Sequence, residues 1–115
     1  DLSFISLKLV LNPITNLLSR DFFEGVFLIK PQFEVGKEFV NKGGVVRDPR
    51  CHILAIESFI EYAKSNHWKV NGLIASPLVG PAGNHEYLLW MSSNNLFEKS
   101  VDNKFIKTLV NSTLN

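Results

Sequence analysis

Apolar residues recur along this chain at two kinds of spacing, and the alternation between them sketches an order of elements. Leu7, Val10, Leu11, Ile14, Leu17 and Leu18 fall three and four apart, which is a helical face. Pro13 interrupts it, because an interior proline removes a backbone bond and clashes one turn back. The pattern therefore predicts a short turn after Asp1 and a helix from Pro13 to Ser19. GVFLIK, residues 25–30, is an apolar run without alternation and predicts a strand buried on both faces, the kind that parallel sheets use. From Pro31 to Val46 no period survives, and Gly36, Gly43 and Gly44 predict a loop of functional length.

Asp48 and Pro49 read as the N-cap and first position of a second helix. Ile53, Ile56, Phe59, Ile60 and Ala63 give it an apolar face, and it should end near Ser65 or Asn66. WKVNGLIASP (68–77) and HEYLLWM (85–91) predict two strands around the turn-rich LVGPAGN. Phe97, Val101, Phe105, Leu109 and Val110 predict an amphipathic helix in the tail. A strand, a crossover helix and a second strand, closed by an antiparallel hairpin, imply an α/β sheet in a single domain.

Composition narrows the classes of function. At 115 residues the chain has room for one modest core, and its 45% hydrophobic content excludes a disordered chain. A net charge of +1 provides no global attraction for nucleic acid, so any RNA contact must be local. The single cysteine, Cys51, rules out an internal disulfide and fits a reducing, cytoplasmic compartment, with the thiol a small buried group near a helix start. No apolar run is long enough to span a bilayer, so stable membrane insertion is not expected. The chain opens at Asp1 without a methionine, which reads as a piece of something larger.

Candidate chemistry gathers where open α/β sheets place it, beyond strand ends. Lys30 ends the first strand, Glu86 sits at the junction of turn and strand in GNHEYLLW, and Asp1 precedes an apolar turn. Singly, each has a plain alternative: a snorkelling lysine, a solvent-facing glutamate, a capping aspartate. Together, a lysine flanked by carboxylates keeps its charge under partial burial and can orient a hydroxyl and stabilise an oxyanion. Lys37, Lys42, Arg47 and Arg50 cluster around the glycine-containing loop and offer phosphate contacts, or a solvated loop. His52, His67 and His85 lack metal-ligand spacing and read as unrelated surface or capping residues, with no metal expected. Trp68 and Trp90 read as core or sheet edge, while Phe33 offers a face for stacking on a base.

DLSFISL, IKPQFEVGKE, NKGGVVRDP and SPLVGPAGNHEYLLW stand in the order found in the haemolysin A type ribosomal RNA methyltransferases. The chain resembles the C-terminal half of their FtsJ-like domain over residues 1–91, and residues 92–115 carry none of the likeness. The resemblance implies the C-terminal half of a Rossmann-like, S-adenosylmethionine-dependent methyltransferase sheet. It also implies transfer of a methyl group to a ribose 2′-hydroxyl of ribosomal RNA, typically of a cytidine. The related enzymes use a Lys-Asp-Lys-Glu tetrad. Asp1 matches its aspartate, on the methyl-donor side, Lys30 its second lysine and Glu86 its glutamate. The first lysine, the glycine-rich donor turn and the small RNA-binding domain of the family have no counterpart in these residues. The expectation is that this stretch alone does not turn over and self-associates through an exposed sheet edge. A non-catalytic RNA-binding role and a haemolysin acting on membranes remain as alternatives.

Overall fold

The computed structural model describes residues 24–34, 43–93 and 101–115. In chain order the elements are strand β1 (Glu24–Ile29), a single-turn helix α1 (Pro31–Glu34), helix α2 (Pro49–Ser65) and strand β2 (Lys69–Ala75). A 3-10 turn (Pro81–Gly83), strand β3 (Tyr87–Ser92) and helix α3 (Asn103–Leu114) complete them. The helix predicted over Pro13–Ser19 falls outside the described residues.

The sheet has three strands in the order β1-β3-β2. β3 pairs antiparallel with both neighbours, with Ile29 and Ala75 both opposite Tyr87. β1 and β2 thus run in the same direction around a crossover helix, as the α/β reading expects, but they are not paired with each other. The strand predicted to close the sheet as a hairpin is inserted between them. β3 earns the central place through its side chains, since Tyr87, Leu89, Met91 and Ser92 are all buried. β2 carries one extra residue at Asn71, between Val70 opposite Met91 and Gly72 opposite Trp90. Asn71 is buried there, and its Nδ2 donates to Ser92 Oγ at 2.7 Å.

One face of the sheet is covered. Ala55, Ile56, Phe59, Ile60 and Ala63 of α2 pack with Ile29, Leu73, Tyr87, Leu89 and Met91, and α3 adds Ile106 and Val110 to the same core. On the other face Val26 and Ile74 are 63% and 57% exposed. β1 is therefore not buried on both faces, as its unbroken apolar run suggested, because α2 covers one side only.

α2 follows its predicted signals. Asp48 caps it by accepting from the Arg50 backbone N–H at 2.9 Å, and Pro49 fills the first position. At its other end His67 adopts φ 61°, and the N–H groups of His67 and Trp68 donate back to Lys64 and Ala63. α1 lies inside the stretch read as a loop. Its Pro31 occupies the first helical position, and Phe33 N–H closes the turn on Lys30 O at 2.9 Å. Cys51 is buried near the start of α2, as expected. Among the described residues no helix is long and apolar enough to cross a membrane.

Candidate active site

Lys30 follows β1 and Glu86 precedes β3, at the same end of two hydrogen-bonded strands. The pairing brings together side chains 56 positions apart: Lys30 Nζ lies 3.8 Å from Glu86 Oε2. That distance is an ion pair at its outer limit, longer than a charge-assisted hydrogen bond of about 2.8 Å. The glutamate side chain is 5% exposed and the lysine 21%, so the cation is the member reachable from outside.

Two neighbours complete the site that sequence reasoning did not single out. Gln32 Nε2 donates to the same Glu86 Oε2 at 2.8 Å. Gly80 lies against the carboxylate so closely that a Cβ on it would stand 2.2 Å from Oε2. Only glycine leaves room for Glu86 in this pose. The Lys30 ammonium also lies 5.9 Å from the centre of the Phe33 ring, within cation–π range. Pro31 within IKPQFE was the available signal for α1, the turn that delivers Gln32 and Phe33.

The turn carrying Glu86 is fastened to the loop carrying Arg47. Buried Asn84 accepts from Val46 N–H at 2.9 Å and donates to Gly44 O at 2.7 Å. His52 binds the same loop from below, through Nε2 to Val46 O at 2.8 Å and Nδ1 to Tyr87 Oη at 2.9 Å. A carbonyl can only accept, so Nε2 carries the proton and the tyrosine hydroxyl donates to Nδ1. His52 is 0% exposed, which corrects its reading as a surface or capping residue. It occupies the buried face of α2 in register with Ala55, Ile56 and Phe59. Burial pushes its pKa down and that of Tyr87 up.

Of the remaining predicted residues, Asp1, Lys37 and Lys42 lie outside the described residues. Arg47 is exposed. Arg50 grips Asp48 with Nε and Nη2, at 3.2 and 2.8 Å, so its fork is already engaged. That pair holds the Asp48 carboxyl below its usual range, through the Arg50 hydrogen bonds first. No three His, Cys, Asp or Glu side chains among the described residues gather closely enough to hold a metal.

The arrangement offers a partly exposed amine against an immobilised carboxylate, which suits it to hold and deprotonate a hydroxyl. It bears on the group that would be modified. The donor-side candidate Asp1 lies outside the described residues.

Comparison with known proteins identifies the family. A 16S/23S rRNA (cytidine-2′-O)-methyltransferase, TlyA, from Mycobacterium tuberculosis is 48% identical over 91 residues, covering 79% of this chain and 34% of that protein. A 23S rRNA (cytidine-2′-O)-methyltransferase, TlyA, from Campylobacter jejuni is 35% identical over 95 residues, covering 82% and 36%. The chain thus spans about a third of the length of these curated relatives. The solved structure of a hemolysin-named protein from Lactococcus lactis superposes with a TM-score of 0.84 at 37% identity, over 100% of this chain and 54% of that one. Residues 1–93 match a single family description, and the chain belongs to the FtsJ-like methyltransferases.

Proposed function

We propose that this chain carries the hydroxyl-activating half of a ribose 2′-O-methyltransferase acting on ribosomal RNA, with S-adenosylmethionine as donor and a cytidine as target. The observation that carries the reading is the Lys30–Glu86 pair at 3.8 Å, built at the matching ends of β1 and β3. Lys30 lowers the cost of releasing the 2′-hydroxyl proton to solvent and holds the negative charge left on that oxygen. Glu86, held by Gln32, fixes where the amine stands. The donor supplies a methyl group on a sulfonium sulfur, which keeps the electron pair of the broken carbon–sulfur bond as the carbon–oxygen bond forms. Asp1 orients Lys30 or lines the methyl-donor pocket.

Arg47, next to the Val46 that Asn84 and His52 hold, serves the RNA phosphates together with Lys37 and Lys42, and Arg50 joins them only by loosening its grip on Asp48. Residues 1–91 carry the chemistry and residues 92–115 form a tail that closes the core. Residues 1–115 alone are inactive and self-associate; the activity belongs to the longer cytoplasmic protein.

The test is methyl transfer from labelled S-adenosylmethionine to undermodified ribosomal RNA by the full-length protein, read by nucleoside mass spectrometry. Label on a ribose 2′-oxygen that is lost in Lys30→Ala is the expected result. Transfer that persists in the variant removes Lys30 from the reaction, and binding without transfer leaves an RNA-binding module.

A further inference from the structure

The loop that carries Arg47 and the turn that leads into Glu86 meet through one buried side chain. Asn84 Oδ1 accepts from Val46 N–H at 2.9 Å and Nδ2 donates to Gly44 O at 2.7 Å, so both ends of the amide hold the loop. The backbone of the same residue closes the turn, since Gly80 N–H donates to Asn84 O at 2.8 Å. Gly80 in turn is the residue whose backbone lies against the Glu86 carboxylate. A short path of direct contacts therefore runs from the loop through Asn84 and Gly80 to Glu86. The loop depends on it for its direction. Gly43 and Gly44 stand at φ 93° and 82°, a region of backbone space that glycine enters and leaves at little cost. His52 holds Val46 O at 2.8 Å, but one bond locates a segment without orienting it, and the orientation comes from the pair made by Asn84. Arg47 stands exposed between buried Val46 and Asp48, the cap of α2.

We propose that Asn84 is a positioning residue that sets where Arg47 stands relative to Glu86, so that an RNA phosphate held at Arg47 brings its ribose to the Lys30–Glu86 pair. Phosphate contacts fix register and orientation rather than base identity. Such a contact serves the reaction only if it is anchored to the reacting groups, because a misplacement of about 1 Å costs on the order of a hundredfold in rate. A loop released from Asn84 still offers its guanidinium to RNA, and the phosphate then docks without registering the ribose. Asn84 acts through Arg47 and Gly80, without touching the nucleotide.

This inference rests on the roles given above to Arg47 and Lys30. The experiment is a double-mutant cycle in the full-length protein, with kcat for methyl transfer and Kd for RNA measured in the native protein, Asn84→Ala, Arg47→Ala and the double variant. Amide hydrogen exchange at Val46 and in β3 accompanies it. Asn84→Ala should leave Kd for RNA unchanged, lower kcat by roughly tenfold to a hundredfold, and speed exchange at Val46 while β3 stays protected. Arg47→Ala should flatten the salt dependence of binding in either background. Its cost in kcat should be seen in the native protein and vanish beside Asn84→Ala. Losses in kcat that multiply in the double variant overturn the link, as does an unchanged kcat in Asn84→Ala. If that variant loses protection in β3 and so fails to fold, Asn84→Asp decides by the same cycle, since it keeps the size and the Val46 bond and loses the one to Gly44. Native Kd and kcat in Arg47→Ala remove the phosphate contact and the proposal with it. If Lys30→Ala stays active, the hydroxyl-activating role falls instead, while the cycle still reads whether Arg47 is registered through Asn84.

Discussion

His52 joins three elements at one point, and its protonation state matters to all of them. Folding takes it from water, where its pKa is about 6.5, into a site where burial lowers that value, against a smaller opposing effect of the Val46 carbonyl. The unfolded chain therefore binds the proton more readily. This contribution to stability is fully present above about pH 6.5 and is lost as pH falls towards the lower, folded-state pKa. Thermal melts should show a midpoint that falls with acidity below about pH 6.5 and a gentler fall in His52→Gln. Equal slopes in the two proteins would mean that His52 does not govern the acid limb. The residue was legible in part: its place three and four positions before Ala55 and Ile56 marks the buried face, but no local pattern encodes its bonds to Val46 and Tyr87. Lys30 and Glu86 could be named from strand ends and family likeness. Gln32 and Gly80 could not, since their importance lies in distances to Glu86 that no local pattern encodes.

Among the elements, α2 was the most readable because cap, proline and periodicity agree over 17 residues. Its C-terminus breaks one rule. His67 holds the left-handed position that glycine ordinarily fills, at φ 61°, and donates to Lys64 O at 3.0 Å. A side chain there costs about 1 kcal/mol, so His67→Gly should raise the unfolding free energy by up to that amount, measured by urea denaturation. Destabilisation instead would indicate that the imidazole makes a compensating contact. β1 was misread because an unbroken apolar run implies cover on both faces, whereas burial depends on which helices arrive. α1 was missed because four residues are too few to establish a period.

For the whole molecule, the α/β class was legible and the strand order was not. Register and neighbour choice follow from side-chain fit across β3, and the sequence lists strands without saying which is central. Among the described residues the order leaves β1 and β2 at the two edges of the three-stranded sheet, with Val26 and Ile74 exposed on its open face. Residues 1–115 expressed alone should therefore sediment as a species heavier than 13.0 kDa, and Val26→Lys should return it towards monomer. A native chain that sediments as a monomer would show that the open face does not drive association.

The insertion of β3 has a consequence for synthesis on the ribosome. The chain emerges from its N-terminal end, so β1, α2 and β2 are all made before the strand that both edges require as neighbour. Until Ser92 has cleared the exit tunnel, Lys30 has no Glu86 to stand against and the two flanking strands have nothing in common to pair with. The Lys30–Glu86 ion pair therefore cannot form until β3 follows β1, α2 and β2 out of the ribosome.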